Sequence, residues 1–279
     1  MRGVFMFTTF TVEDRKLTGI KRLFSVFYKD RLYESYLDGK KLAVRRITYV
    51  NCRDKINWDA VRKIVGIQAE SMICSDKIHF PKDSGLVRFR DNTFVKKMTC
   101  NFAFSTLNSM ENPQKLNVAF IDADGSESEF LWKLCTLTDN FVVVTGNKEK
   151  YEILGEKMME KQGVSLVYTN RLTRIRDADF VIAPCKIQKR IDINKRAVVL
   201  TSERPQVDLP AICYWNYTCT LPEEYRRLMC EDMDEMYFAS ALYSKGRKYF
   251  LGEMVPRVSY NENSTCTVKS LAKYLGKFL

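Results

Sequence analysis

Between residues 115 and 205 short apolar runs alternate with polar turns and amphipathic stretches in a regular order. The runs fall at 117–121, 141–144, 164–168, 180–183 and 197–200. Each is continuously apolar, with no in-out alternation, which is what a strand needs when both faces of a parallel sheet are covered. Between the first two runs, Ser126 and Glu129 have capping-box spacing, and Phe130, Leu134 and Leu137 share one face of a helix predicted over 127–138. A second helix, over 147–162, buries Tyr151, Leu154 and Met158 and stops at Gly163. Strand, helix, strand, helix, strand of this length predicts a Rossmann-like parallel sheet with helices on both faces.

The flanking regions are patterned differently. Before residue 115, β-branched and aromatic content predicts strands over 4–12, 23–28 and 42–49. Helical spacing follows, with Trp58, Val61, Val65 and Ala69 behind Asn57, then Phe94, Met98, Phe102 and Leu107 behind the capping residues Asp91 and Asn92. Residues 111–114, which include Pro113, form a linker. After residue 205 an aromatic and proline-containing loop (211–220) leads to helices near 222–230, 234–243 and 268–278. The expected organisation is an α+β domain over 1–114, a Rossmann-like domain over 115–205, and a helical segment over 206–279 that packs back on the first domain.

Charge sharpens this division. Lys and Arg outnumber Asp and Glu 21 to 12 before residue 115, 15 to 13 between 115 and 205, and 9 to 9 thereafter. The basic excess is scattered through the N-terminal part and forms no dense run, so nucleic acid is not the expected partner. No apolar stretch approaches the roughly 18 residues of a membrane span, and residues 1–12 run straight into Glu13 and Asp14, reading as a strand and not an export signal. The nine cysteines show no C-x-x-C spacing, which predicts free thiols in a reducing cytoplasm. His79 is the sole histidine, so a multi-histidine metal site is excluded and none is expected. A structural imidazole is its expected role.

In an open parallel sheet, ligands sit beyond the carboxyl ends of the strands where strand order reverses. Those ends carry Asp122, Asp124, Gly125 and Ser126, then Thr145, Gly146 and Asn147, then Asn170 and Arg171, and lastly Pro184 and Cys185. They are the candidate cofactor-binding residues; no catalytic set stands out. The G-x-G-x-x-G fingerprint is absent, and the carboxylates of Asp122, Asp124, Glu127 and Glu129 would repel a pyrophosphate from the first loop. The second loop has no acidic residue before Lys148 and Lys150, and eight basic against three acidic residues lie between Arg171 and Arg196. A phosphate-bearing ligand is therefore expected, and among dinucleotides NADP before NAD. Cys185, beside Lys186, is a weaker candidate for an activated thiol; as one cysteine without a paired base, its expected role is structural.

Two resemblances follow from these residues. Val118-Ala-Phe-Ile-Asp-Ala-Asp-Gly-Ser126 with Val142-Val-Val-Thr-Gly146 resembles the first two motifs of haloacid-dehalogenase-like phosphatases. That likeness implies Asp122 as nucleophile, Asp124 as general acid/base, Thr145 as phosphate ligand and a Mg²⁺ requirement; Pro184-Cys185 stands where the family has its acidic metal-binding motif. The order of parts, with Asp177-Ala-Asp-Phe-Val-Ile-Ala183 inside the central domain, resembles the shikimate and methylene-tetrahydrofolate dehydrogenase group. That likeness implies an NADP-linked oxidoreductase with its ligand in an interdomain cleft. A non-catalytic binding or regulatory module on a degenerate enzyme fold is the third reading.

Overall fold

The structure, a computed structural model, describes residues 5–15, 29–39, 42–52, 55–247 and 251–278. The strand expected over 23–28 lies outside them. The chain forms two compact units, Met1–Asp91 with Leu221–Lys248, and Asn92–Thr220 with Tyr249–Leu279.

The first unit is built on a four-stranded sheet. Strands β1 (Phe5–Asp14), β2 (Arg31–Gly39), β3 (Leu42–Asn51) and β4 (Ile73–Cys74) lie in the order β2-β3-β1-β4. β1 runs parallel to β3 and β4, and β2 is antiparallel to β3. One face buries Phe10, Ile47 and Tyr49 against Val61 and Val65 of helix α1 (Trp58–Val65). The Asn57 side chain accepts from the Ala60 amide and starts that helix; Ala69 falls beyond it, in a 3-10 turn.

The second unit opens with α2 (Thr93–Asn108), after which the strand-helix alternation begins. β5 (Val118–Ile121), α3 (Leu131–Leu134), β6 (Phe141–Val144), α4 (Lys148–Gln162), β7 (Tyr168–Thr169), β8 (Phe180–Ala183), β9 (Val198–Thr201) and β10 (Ile212–Tyr214) follow. The six strands are parallel and ordered β10-β9-β8-β5-β6-β7. This is an α/β Rossmann-like fold whose strand order reverses between β5 and β8.

The sheet is dressed unequally. Phe120 points to the side where Phe130 of the first crossover packs, its ring 5.4 Å away. Ala119, Ile121, Val181, Ala183 and Val199 point the other way, against Ile175, Ile187, Ile191 and Ile193. Those isoleucines come from a 3-10 turn (Leu172–Ile175) and irregular chain, so loop side chains close that face.

Three expectations are corrected. The helix predicted over 127–138 is a 3-10 turn (Ser128–Phe130) followed by the single turn of α3, and no capping box forms. The Ser126 amide instead donates to Asp124, and its hydroxyl meets Lys96. The strand expected over 164–168 pairs only at Tyr168–Thr169, leaving Val167 59% exposed at the sheet edge. The loop expected over 211–220 contains β10 and β11 (Asn216–Thr218).

Beyond β11, α5 (Glu223–Arg226) and α6 (Glu235–Leu242) belong to the first unit, where Phe238 packs on Phe7 with centroids 5.8 Å apart. The second unit ends with β12 (Val258–Tyr260), β13 (Thr265–Cys266) and α7 (Val268–Leu275). β11, β12 and β13 form a small antiparallel sheet.

α4 is the helix whose limits follow most directly from its sequence. Asn147 accepts from the Lys150 amide at its start, and Gly163 ends it at φ 69°, ψ 17°. A Cβ at Gly163 would meet nothing within 4 Å, so only the left-handed backbone opposes a substitution there. Gly163→Ala should therefore lower stability by about 1 kcal/mol, read from the urea midpoint. An unchanged midpoint would mean that the left-handed cap contributes nothing.

Candidate functional site

Because β5 lies between β6 and β8, its carboxyl end is the point to which a ligand would be brought. Asp122 is the first residue past β5, and its side chain is buried, with no exposed surface. Its Oδ2 accepts from the Tyr151 hydroxyl at 2.7 Å and the Glu127 amide at 3.0 Å, while Oδ1 is buried with no hydrogen-bond partner. Burial pushes the Asp122 carboxyl above its ordinary range, against the pull of those two donors.

The rest of the first loop is held from several sides. Lys96 of α2 reaches Asp124 at 3.3 Å and the Ser126 hydroxyl at 3.1 Å. Partial burial opposes ionisation of Asp124, but the Ser126 amide and hydroxyl and the Lys96 ammonium outweigh it and hold this carboxyl well below its usual range. Glu127 is half-buried, and desolvation, offset in part by Lys97, raises its pKa to about 7. From the second loop, the Gly146 amide donates to the Ala123 carbonyl at 3.0 Å and the Asn147 amide group donates to the Asp124 carbonyl at 3.3 Å. Gly125 turns at φ 76° beneath the Lys150 stem, whose Cδ would stand 3.1 Å from a Cβ there.

The remaining candidate residues divide by exposure. Thr145 is buried, and its hydroxyl accepts from the Asn147 amide at 3.0 Å. Asn170 and Arg171 are exposed after β7, the Arg171 amide donating to the Thr169 hydroxyl. Pro184 is buried, and Cys185 fills the gap at the reversal point, its thiol 3.5 Å from the Ile121 carbonyl. Burial raises the Cys185 thiol to about 11, a direction that suits a structural cysteine and not an activated one. All nine cysteines are free. Exposed His79 lines a separate cleft of about 1780 Å³ in the first unit, with Arg46, Asp30 and Trp58.

Sequence reasoning missed Lys96, which it counted among scattered basic residues, and the polar end of Tyr151, which it placed only by its apolar ring. A lysine one turn into a helix and a tyrosine on a core face carry no local mark of their partners; only the packing of α2 and α4 around β5 reveals them.

The fit to a dinucleotide is uneven. The first loop is acidic, and a 3-10 turn and a four-residue helix follow it, so it offers no long helix N-terminus to a pyrophosphate. The second loop leads into the fifteen-residue α4 with Lys148 and Lys150 in its first turn, beside Glu149. Among the described residues no group of three His, Cys, Asp or Glu side chains could hold a metal ion, and no helix is long and apolar enough to cross a membrane.

No family model matches the chain, and no curated protein matches it. Among solved structures it is similar to Delta(1)-pyrroline-2-carboxylate reductase of Thermococcus litoralis, in complex with NADH and L-proline, at 16% identity and a TM-score of 0.29. That match covers 43% of this chain and 40% of the reductase, less than half of either. It is also similar to L-tryptophan dehydrogenase from Nostoc punctiforme, at 10% identity and a TM-score of 0.30, over 99% of this chain and 88% of that one. The fold of the second unit rests on its own strand order: it is a Rossmann-like α/β sheet.

Proposed function

We propose that the second unit binds a nucleotide or another phosphate-bearing small molecule over the carboxyl ends of β5 and β6, with the phosphate at the second loop. The observation that carries this reading is the head of α4. Asn147 caps a fifteen-residue helix, Lys148 and Lys150 lie in its first turn, and Thr145-Gly146-Asn147 carries no carboxylate to accept a ribose hydroxyl pair. NADP, which has a phosphate on that ribose, is the dinucleotide these residues suit, and an NADP-linked oxidoreductase is the catalytic form of the reading.

The second reading, a non-catalytic binding or regulatory module, is favoured by the first loop. Its carboxylates accept from Tyr151 and Lys96, and its Ala123 and Asp124 carbonyls accept from Gly146 and Asn147. The phosphatase reading is not favoured, because the Asp122 carboxylate that would attack has no exposed surface.

Thermal shift and calorimetric titration with NADP, NAD, ADP and inorganic phosphate separate the two. On the ligand reading NADP gives a saturable shift that exceeds that of NAD and falls about tenfold in affinity on Lys148→Glu with Lys150→Glu, the loss expected for removing one to two charge-assisted contacts. Silence with all four compounds leaves the module reading standing alone.

A further inference from the structure

The cleft of the first unit holds a cation without a counter-charge. β1, β3 and β4 run parallel, and Asp14, Asn51 and Ser75, at or just past their carboxyl ends, line the cleft. Parallel strands present ligands at that end. Arg46 lines the same cleft from β3, and its Nη2 donates to the Leu228 and Met229 carbonyls at 3.3 and 3.1 Å, which fixes the plane of the guanidinium. Its Nε is buried with no hydrogen-bond partner. Among the described residues no carboxylate forms an ion pair with Arg46, whereas Glu34 holds neighbouring Arg45 at 2.8 Å. The acidic side chains outside that description are those of Asp38 and Asp54.

Hydroxyls gather on the same face of the sheet. Thr9 pairs with Arg46 and Thr11 with Thr48 in the parallel register of β1 and β3, so all four side chains lie on one side. The Thr9 hydroxyl has no exposed surface and no partner. The Thr11 and Thr48 hydroxyls stand 3.1 Å apart and both residues line the cleft; whichever donates, the other keeps a hydrogen to offer. Cys230 completes the group, its thiol pushed up by burial against the pull of Arg46 and Thr9. A thiol is a weak acceptor and does not replace a carboxylate.

We propose that this cleft binds a small monocarboxylate, with its oxygens on the Arg46 guanidinium and on the free hydrogen of the Thr11–Thr48 pair. A guanidinium drawn from water without a partner is costly, and an anion that docks on it recovers that cost through charge-assisted hydrogen bonds. The anchor at Nη2 leaves Nη1, which makes no hydrogen bond among the described residues, as the donor an incoming oxygen can reach. The wall then limits the ligand to one negative charge. Among the described residues that line the cleft seven are Asp or Glu, and three besides Arg46 are Lys or Arg, so the second charge of a phosphate would meet repulsion. The site lies wholly in the first unit and does not rest on the nucleotide reading of the second.

The test is calorimetric titration of the full chain with butyrate, phenylacetate, the neutral phenylacetamide and inorganic phosphate. At least one of the two carboxylates is expected to bind saturably, with phenylacetamide silent and phosphate weaker. Arg46→Met should lower that affinity at least about tenfold, the loss of a charge-assisted contact. Thr48→Val should lower it about fivefold. Circular dichroism checks the folding of each variant, and Thr48→Val decides the matter if Arg46→Met, deprived of its two carbonyl contacts, does not fold. Asp38→Asn combined with Asp54→Asn should leave the affinity within about twofold; a tenfold gain would show that the chain supplies the counter-charge itself and would overturn the proposal. It is overturned equally if neither carboxylate binds, if phenylacetamide or phosphate binds as tightly, or if binding is indifferent to the variant that decides.

Discussion

Glu127→Gln should raise stability at pH 8 and flatten its dependence on pH between about 4.5 and 7. Glu127 titrates near 7 in the folded chain against an ordinary value of 4.5, because burial beside Asp122 and Asp124 costs the charged form more than Lys97 and Lys96 return. The folded state therefore holds the proton more tightly than the unfolded state. Its contribution is full below pH 4.5, is lost as pH rises through 7, and is flat above that, a difference of roughly 3 kcal/mol in all. Glutamine keeps the shape of the protonated acid and has no charge to desolvate. Urea unfolding of both proteins at pH 4, 6 and 8 reads the effect: the midpoints should coincide at pH 4 and part at pH 8, with part of the slope remaining because Asp122 is raised in the same direction. Parallel curves would show that Glu127 is not held near neutrality.

Tyr151→Phe should cost about 1–3 kcal/mol, the loss expected when a buried carboxyl is deprived of a donor. The Tyr151 hydroxyl is one of two donors to Asp122, whose Oδ1 already has no partner. Nothing in a buried site can replace it without water entering. The same change should push the Asp122 carboxyl further up, so the deficit should widen as pH rises. Asp122→Asn combined with Tyr151→Phe should recover part of the loss, since a neutral amide needs less support, and the double-mutant cycle gives the coupling. Additive single effects would mean that the 2.7 Å contact does not carry the stability assigned to it.

What could be read from the chain depended on whether an element's cause was local. β6 and β8 were legible to the residue, because Phe141–Val144 and Phe180–Ala183 are unbroken apolar runs between turns. α4 was legible because Asn147 and Gly163 are chemically suited to its two ends. The helix expected after β5 failed for a reason outside its own sequence: Ser126 is drawn to Lys96 and Asp124, so the cap it seemed to offer is spent elsewhere. β10 was illegible because three residues show no period, and pairing with β9 alone makes them a strand. The candidate loops were found by their place after the strands, whereas their hydrogen-bond partners on α2 and α4 depended on tertiary packing that no spacing records.

The unequal dressing of the Rossmann-like sheet has a consequence for how it opens. Where helices lie on strands, each turn is tied to the next by its own ladder of amides, and peeling one away breaks many bonds together. Where Ile175, Ile187, Ile191 and Ile193 do the covering, each is an anchor on a tether and can lift almost singly. Solvent should therefore enter the core from the isoleucine side first, leaving the opposite side intact as the last part of the domain to let go.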